Sequence, residues 1–517
     1  MSEEKRIEEK PGDARSQRPS NRAFRDFIGS QWGPRPAGPE AANESAPFAA
    51  ARRAAIGKLM PGVRLVVPAG PLKVRNNDCD YRFRPHSAFS HLTGTGQDFM
   101  PDAVLVLDPV ADVAAGAPKG APVEGAATHT AKLFFHPRAS RSSEEFYADS
   151  RYGELWVGVR PSLEEVATLT GMECAHINTL PDVLAKDAGA VQLAVVAEAD
   201  EAINKLVDAA RQAGGIEVGE QTAQLDAQLA RELSELRLIK DSWEREQMQL
   251  AVDATARGFD DVLRQLPRAV AHPRGERVIE GAFGARARED GNGCGYDTIA
   301  AAGNHANTLH WISNDGQVKD GDMVLVDAGV EVDSLYTADV TRTIPVNGKF
   351  SDAQRKIYQA VLDAADASFE QAKMPGAKFK DLHAAAMKVL AARLYEWGLL
   401  PVTPEESLSP EGQQHRRWMA HGTSHHLGID VHDCALARRE MYLEAELAPG
   451  MCFTIEPGLY FREDDLAVPE ELRGNAVRIE DDIFMDGVGQ PVRLSGGIPR
   501  TVEDVEAWVQ RLSGTSA

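Results

Sequence analysis

Residues 321–346 read GDMVLVDAGVEVDSLYTADVTRTIPV and contain two strand-like stretches, each of which carries one aspartate. Asp327 closes an apolar run in VLVDAGV, where a buried carboxylate is costly unless it is paired with a cation or bound to a metal. In TADVTRT the two-residue period of a strand places Asp339 on one face together with three threonines. Twelve residues separate the two aspartates. That spacing suffices for a strand, a turn and a returning strand, so it predicts a hairpin across which the two carboxylates meet.

Four histidines lie in the segment AHGTSHHLGIDVHD, residues 420–433. His421 and His425 would share one face of a helix, as in zinc proteases with an HExxH motif. The residues between them include no glutamate to act as a base and have poor helix propensity. We therefore expect a strand or an extended loop, in which His421 and His425 still share a face while His426 points away.

Two further acidic positions lie beside strand-like runs. Glu456 in FTIEPGLY follows an apolar run and precedes a proline, which places it at a strand end. In AVRIEDDI the strand period puts Arg478, Glu480 and Asp482 on the same face.

Each of these residues, taken singly, has a simpler interpretation. A strand-end aspartate often forms a turn, a buried glutamate often pairs with a cation, and HxxxH without glutamate is weak evidence for a metal. The joint pattern favours a metal site, because four carboxylates and one imidazole form an oxygen-rich set. Such a set suits two divalent ions, Mn²⁺ best, with Co²⁺ or Zn²⁺ as alternatives.

The composition limits the other classes of function. The net charge is −22, which disfavours nucleic acid as a partner because phosphate binding needs an excess of Lys and Arg. No apolar run approaches the length of a membrane span, and the N-terminal residues lack the apolar core of a secretory signal. The five cysteines are scattered and never in CxxC spacing. They argue against a disulfide framework or a zinc ribbon and favour a cytoplasmic location.

A chain of 517 residues predicts two domains with flanking segments. Residues 1–45 are expected to be a disordered tail, apart from a short amphipathic turn of helix in RAFRDFIGSQW. Strands and helices alternate over residues 46–200, which predicts a first α/β domain. Residues 201–235 form a helical linker, with a coiled-coil seam as the alternative, and residues 236–510 form the second domain.

In order, the chain reads NTLHW, LVDAG, ADVTRT, HGTSHHLGIDVHD, TIEPGLY and VRIEDD. This succession resembles the metal-dependent aminopeptidase P and prolidase family over roughly residues 236–505. Two N-terminal stretches, YRFRPHSAFSHLTGTGQDFMPDAVLVLDP and LFFHPRASRSSEEFYADSRYG, resemble the N-terminal domain of the creatinase and aminopeptidase P type. The resemblance implies an α/β (α+β) protein, in which a pita-bread catalytic domain follows a smaller α/β domain. Two details depart from the family pattern: many relatives separate the two aspartates by eleven residues, and Ala476 replaces a glycine.

The resemblance also implies roles for individual residues. The metal ligands would be Asp327, Asp339, His425, Glu456 and Glu480. His310, His421, His432 and Arg478 would line the substrate site. The implied mechanism is attack on the scissile carbonyl by a hydroxide shared between two ions, Mn²⁺ being favoured. Glu456 would carry the proton, and His432 or His310 would stabilise the oxyanion.

The implied activity is that of a metallo-exopeptidase, which releases the N-terminal residue of peptides with proline in the second position. Prolidase, which restricts this chemistry to dipeptides, is the nearest alternative, and the long N-terminal domain favours the aminopeptidase. A non-catalytic peptide-binding pita-bread module is a third interpretation, disfavoured because all five ligands are present. Methionine aminopeptidases lack the N-terminal domain, and creatinases lack the ligand set. We expect a homo-oligomer, a dimer or a tetramer, with no nucleic-acid or membrane partner.

Overall fold

The computed structural model describes residues 21–110 and 128–514 of the chain, which divides into two compact units, residues 1–233 and 234–517. Within the described residues the helices are α1 (Arg22–Ile28), α2 (Ala46–Leu59), α3 (Ser87–Thr93), α4 (Glu145–Ala148), α5 (Glu154–Val157), α6 (Leu163–Thr170), α7 (Leu180–Ala185), α8 (Glu201–Ala213), α9 (Glu220–Leu236), α10 (Ser242–Ala271), α11 (Gly275–Asp290), α12 (Asp352–Ala372), α13 (Phe379–Glu396), α14 (Pro404–Leu408) and α15 (Val502–Ser513).

The strands of the described residues are β1 (Val63–Pro68), β2 (Val74–Asn76), β3 (Cys79–Asp80), β4 (Val104–Pro109), β5 (His129–Phe135), β6 (Glu173–His176), β7 (Gln192–Val195), β8 (Gly293–Cys294), β9 (Ile299–Ala302), β10 (Met323–Ala328), β11 (Val330–Glu331), β12 (Val340–Pro345), β13 (Cys452–Ile455), β14 (Gly458–Phe461), β15 (Asn475–Arg478), β16 (Asp481–Met485) and β17 (Pro491–Arg493). In the part that the structure describes, no helix combines the length and the apolar character that a membrane crossing requires.

The first unit contains a five-stranded mixed sheet in the order β6-β5-β4-β1-β7. Strand β1 runs antiparallel to β4 and parallel to β7. The apolar runs of these strands are buried, and Val66, Val106 and Phe134 form one core with the helices that follow them. The predicted alternation of strands and helices is thus confirmed in this unit.

The predicted disordered tail falls partly outside the described residues, which begin at residue 21. Beyond that point the described residues include ordered contacts. The short helix expected in RAFRDFIGSQW is present as α1. Trp32 packs edge-to-face against Phe146 at 5.4 Å between ring centroids, and Arg35 donates to Glu154. Aromatic and ion-pair contacts therefore hold residues whose composition alone suggests disorder.

Three helices occupy the tract between the two sheet regions, namely α8, α9 and α10. The last of these belongs to the second unit. It begins with a capping box in which the Asp241 side chain accepts from the Glu244 backbone N–H and Glu244 caps Asp241 in return. Helix α10 packs along α11, and Phe259 and Phe283 meet in the core between them. The tract is thus helical, as predicted, and its last helix contributes to the core of the second unit.

The second unit is organised around the predicted hairpin. Strands β10 and β12 pair antiparallel, with Asp327 opposite Thr341, and β9 lies on the other side of β10. All six residues of β10 and all six of β12 are buried. The hairpin prediction is confirmed, and it leaves Asp339 immediately before the first residue of β12.

The last two acidic motifs lie where the chain passes between two small sheets. Strand β15 pairs with β14, whereas β16 pairs with β13, and Glu480 lies between β15 and β16. Thr341 connects this crossing to the hairpin, because its hydroxyl donates to Glu480 at 2.7 Å and its carbonyl accepts the Glu480 N–H at 3.1 Å. The chain crossing thus brings Glu480 to the same place as the two aspartates.

Gly329 is required at the point where the hairpin leaves β10. A Cβ at this position would lie 1.7 Å from the Ala338 carbonyl oxygen, which belongs to the backbone and has no flexible side chain that can move aside. Gly329→Ala is therefore expected to destabilise the protein by about 1–3 kcal/mol, the usual cost of overpacking. The measurement is the apparent urea midpoint of the metal-free protein.

The matched control is Gly281→Ala in α11, where an added Cβ meets nothing within 4 Å. Alanine favours a helix by about 0.8–1.0 kcal/mol over glycine, so this variant should keep or raise the midpoint. An unchanged midpoint for Gly329→Ala would show that the hairpin relaxes without cost.

Candidate metal centre and active site

All nine residues predicted for the site line one cavity of about 550 Å³ in the second unit. They are Asp327, Asp339, His425, Glu456, Glu480, His310, His421, His432 and Arg478. They come from the hairpin, the histidine loop, the ends of β13 and β15, and the loop after β9. Residues separated by up to 170 positions in the chain (310 to 480) therefore converge on one volume.

Three of the predicted ligands lie close enough to hold one ion. Ligand atoms of Asp339, His425 and Glu480 all lie within 4.8 Å of one another. Asp327 is joined to Asp339 through the hydroxyl of Tyr296, which lies 2.7 Å from Asp327 Oδ1 and 2.5 Å from Asp339 Oδ1. The two aspartates thus meet across the hairpin.

His425 is oriented by its own backbone neighbourhood. Its Nδ1 lies 3.1 Å from the His426 carbonyl oxygen, and because a carbonyl only accepts, Nδ1 carries the proton. The other ring nitrogen, Nε2, faces Asp339 at 3.3 Å and Glu456 at 3.6 Å. A backbone carbonyl that fixes one nitrogen and leaves the other facing carboxylates is the usual support of a metal-binding imidazole.

The histidine segment adopts the extended conformation expected of it. His426 points away from the cavity and stacks on Phe379 at 4.6 Å between ring centroids. Burial lowers the pKa of His426 to about 3. It is therefore a neutral core side chain, whereas its neighbour His425 belongs to the site.

Buried carboxylates repel one another in this cavity. Burial, which outweighs the attraction of His425, raises the pKa of Glu456 to about 7. Burial and then the charge of Asp339 raise the pKa of Glu480 well above its usual range. Burial opposes the charged form of His425 too, but the hydrogen bond to Asp339 and the charge of Glu456 raise its pKa to about 9. The ionisable groups of the site thus bind protons more strongly than exposed groups do. A bound cation would replace those protons, so raised pKa values are expected at a metal site.

These donors fit divalent ions of the hard or borderline kind. Four carboxylates and one imidazole are buried or half-buried, and among the described residues that line the cavity none is a cysteine. Two divalent ions would supply four positive charges against four carboxylates, which removes the repulsion that raises the pKa values of Glu456 and Glu480.

Arg478 places a positive side chain of the protein beside the carboxylates of the cavity. Its guanidinium donates to Asp327 Oδ2 at 2.5 Å, to the Tyr460 hydroxyl at 3.1 Å and to Thr341 Oγ1 at 3.2 Å. His421 Nε2 lies 2.7 Å from the same Tyr460 hydroxyl. Tyr460 therefore joins two of the residues predicted to line the substrate site.

The remaining two histidines approach the cavity from different loops. The His432 ring lies perpendicular to that of His425 at 4.6 Å between centroids, and burial lowers its pKa. His310 lines the cavity from the loop after β9, beside Leu309 and Ile312. Neither histidine belongs to the cluster of ligand atoms found in the described residues.

The sequence-based prediction missed several polar residues of the site, among them Tyr296, Asp297 and Tyr460. Tyr460 lies in the quoted motif FTIEPGLY, and its position at the end of that motif is a signal that could have been used. Tyr296 and Asp297 lie just before β9, separated from it by Thr298. A polar pair beside a buried strand resembles the signal at Asp327, which closes the apolar run of β10.

Two successive parts of the chain each match a known protein family. Residues 246–486 match the family described as metallopeptidase family M24. Residues 48–196 match the family described as aminopeptidase P, N-terminal domain. The two matches occur in the order expected from the motifs.

Two relatives match the chain along most of their length. The chain is 47% identical over 471 residues to Xaa-Pro aminopeptidase 2 of Streptomyces coelicolor, covering 91% of this chain and 92% of the relative. It is 30% identical over 452 residues to human Xaa-Pro aminopeptidase 3, covering 86% of this chain and 80% of that protein.

Two solved structures share the fold. Pseudomonas aeruginosa aminopeptidase PepP superposes with a TM-score of 0.74 at 28% identity, covering 91% of this chain and 99% of that one. Zinc-substituted Escherichia coli aminopeptidase P in complex with product superposes with a TM-score of 0.76 at 26% identity, covering 92% of this chain and 100% of that one.

Proposed function

Because the chain belongs to the Xaa-Pro aminopeptidase branch of metallopeptidase family M24 and is a metallo-exopeptidase, we propose that it releases the N-terminal residue of peptides whose second residue is proline. The observation that carries this proposal is the convergence of all five candidate ligands on one cavity. The relatives named above support the proline preference. A proline after the cleaved bond makes the amide tertiary, so the pocket must recognise the shape of the ring.

The metal site is proposed to consist of Asp327, Asp339, His425, Glu456 and Glu480, holding two Mn²⁺ ions, with Co²⁺ or Zn²⁺ as substitutes. The oxygen-rich donor set supports manganese. When bound, the ions lower the pKa of water and polarise the scissile carbonyl. The protein's part is to fix the ligands, which it does through Tyr296 and the His426 carbonyl.

Glu456 is proposed to move the proton. One of its oxygens lies 3.6 Å from His425 and the other 3.7 Å from His421. A carboxylate in that position would take a proton from the attacking water and return it to the leaving nitrogen.

The oxyanion is proposed to be stabilised by His432 or His310. Both line the cavity without joining the ligand cluster of the described residues. A single oxyanion donor contributes about 2.7–4 kcal/mol. Arg478 would steady the product, although its contact with Asp327 also fixes that ligand.

The organisation of the chain supports the aminopeptidase over a dipeptidase, because an aminopeptidase P N-terminal domain is present. We place that domain at residues 46–200, a helical linker at 201–235 and the catalytic domain at 236–510, after a tail of 45 residues. We further propose a homo-oligomer, a dimer or a tetramer, in the cytoplasm. The scattered cysteines support that location.

The deciding experiment compares the tripeptide Arg-Pro-Pro with the dipeptide Arg-Pro, with manganese supplied to the full-length protein. Release of arginine from the tripeptide is the expected result. Hydrolysis of the dipeptide alone would identify a prolidase. Peptide binding without hydrolysis, in protein that holds metal, would identify a non-catalytic module.

A further inference from the structure

A fully buried glutamate lies beside the active-site cavity but does not line it. Glu276 is the second residue of α11 and has an exposed fraction of 0%. A buried carboxylate is costly unless its oxygens are fully hydrogen-bonded. Its partners therefore indicate what it stabilises.

All four side-chain partners of Glu276 belong to one segment, residues 302–316. Glu276 Oε1 accepts from the Ala302 backbone N–H and from His305 Nδ1, each at 2.8 Å. Glu276 Oε2 accepts from Trp311 Nε1 at 2.9 Å and from the Gly316 backbone N–H at 2.7 Å. One carboxylate thus joins both ends of the segment and two side chains inside it.

The chemistry of this cluster requires a carboxylate. Each oxygen receives two donors, which matches the acceptor capacity of an ionised carboxylate. Because the carboxylate only accepts, Nδ1 of His305 must carry a proton. An amide in the same place would present an NH₂ group to two donors and could keep at most two of the four hydrogen bonds.

The same segment forms one wall of the active-site cavity, through Leu309, His310 and Ile312. Trp311 directly follows His310, and its ring stacks on that of His305 at 4.0 Å between centroids. The two side chains that Glu276 holds therefore lie on either side of His310, five residues before it and one residue after it.

We propose that Glu276 is a positioning residue that acts through residues 302–316 to set where His310 lies in the cavity. This inference rests on the proposed function only in that turnover is one of its measurements. Glu276 contacts none of the five candidate ligands among the described residues, so its role is separate from metal binding.

The test is Glu276→Gln in the full-length protein loaded with manganese. We expect kcat to fall by about ten- to a hundredfold, because a displacement of about 1 Å in a positioning group has an effect of that size. Metal content should stay at the wild-type level. The control is Glu289→Gln on the same helix. The Glu289 side chain is 69% exposed, so removing its charge should leave kcat unchanged.

A double variant separates positioning from a general loss of stability. If Glu276 acts through His310, Glu276→Gln should have little further effect on kcat in the His310→Ala background, since the two changes affect one interaction. If the fold-loss of kcat in the double variant equals the product of the two single losses, the proposal is overturned.

Hydrogen exchange provides a readout that does not depend on activity. Backbone amides of residues 303–313 should exchange faster in Glu276→Gln, while those of β10 and β12 stay protected. Unchanged exchange in the loop would overturn the proposal even if activity fell. If the wild type fails to cleave Arg-Pro-Pro, the proposed function fails while the exchange comparison still decides this inference.

A milder variant covers the case in which Glu276→Gln does not fold. Trp311→Phe removes one donor to Oε2 and keeps an aromatic ring beside His305. We expect a fall in kcat smaller than that of Glu276→Gln, faster exchange of the loop and unchanged metal content. Wild-type exchange and turnover in this variant would contradict the proposal.

Discussion

Asp339→Asn is expected to abolish peptide hydrolysis while leaving the fold intact. An amide offers only a neutral oxygen, so the site loses both a negative charge and affinity for the ion. The fall in activity should be larger than the loss of about 10–100-fold that follows when a residue supporting a metal ligand is changed. The Asp339 carboxylate also lies 2.5 Å from the Tyr296 hydroxyl and faces His425, so its loss disturbs two neighbours at once. The measurements are bound manganese per chain and kcat.

The control for this change is Asp333→Asn, which introduces the same amide at an exposed position in the turn of the same hairpin. It should keep both metal and activity. Full activity with two ions still bound in Asp339→Asn would show that Asp339 is not a ligand.

Acetylation of the substrate's α-amine is expected to prevent cleavage of an otherwise good Xaa-Pro peptide. Besides the four carboxylates of the proposed metal site, whose charges two divalent ions would balance, the cavity is lined by Asp297, which is not a proposed ligand and whose position is exposed. Such a cavity favours an ammonium group, and an acetylated amine carries no charge. The expected loss is at least about a hundredfold in kcat/KM, because the peptide loses the contact that positions its carbonyl.

The matched control is the same peptide with a C-terminal amide, which removes a charge at the other end of the substrate. It should be cleaved at a rate close to that of the unmodified peptide. Equal turnover of acetylated and free peptides would identify an endopeptidase-like site and contradict release from the N-terminus.

The sequence alone predicted nine candidate site residues, and in the structure all nine line one cavity. Asp327, Asp339, Glu456 and Glu480 stand out because a carboxylate beside a buried strand is costly without a cation, and that cost is visible in the local pattern of apolar residues. The two-residue period of a strand then placed Asp339 on one face with three threonines, and Glu480 on one face with Arg478 and Asp482. In the structure the Thr341 hydroxyl donates to Glu480, and Asp482 accepts from the Asp339 backbone N–H. These are properties of short segments, so no knowledge of the fold was needed.

Only the tertiary structure decided which residues support those ligands. Tyr296 lies 31 residues from Asp327, and Arg478 lies 151 residues from it, yet both donate to its carboxylate. Glu276 gives a second example, because nothing in the sequence of α11 indicates that the Glu276 carboxylate accepts from Trp311, 35 residues away. A hydrogen bond between distant residues depends on how strands and loops pack, and no local period in the sequence records it. The candidate ligands could therefore be predicted from local patterns together with the family resemblance, whereas the side chains that contact them emerged only when the chain was folded.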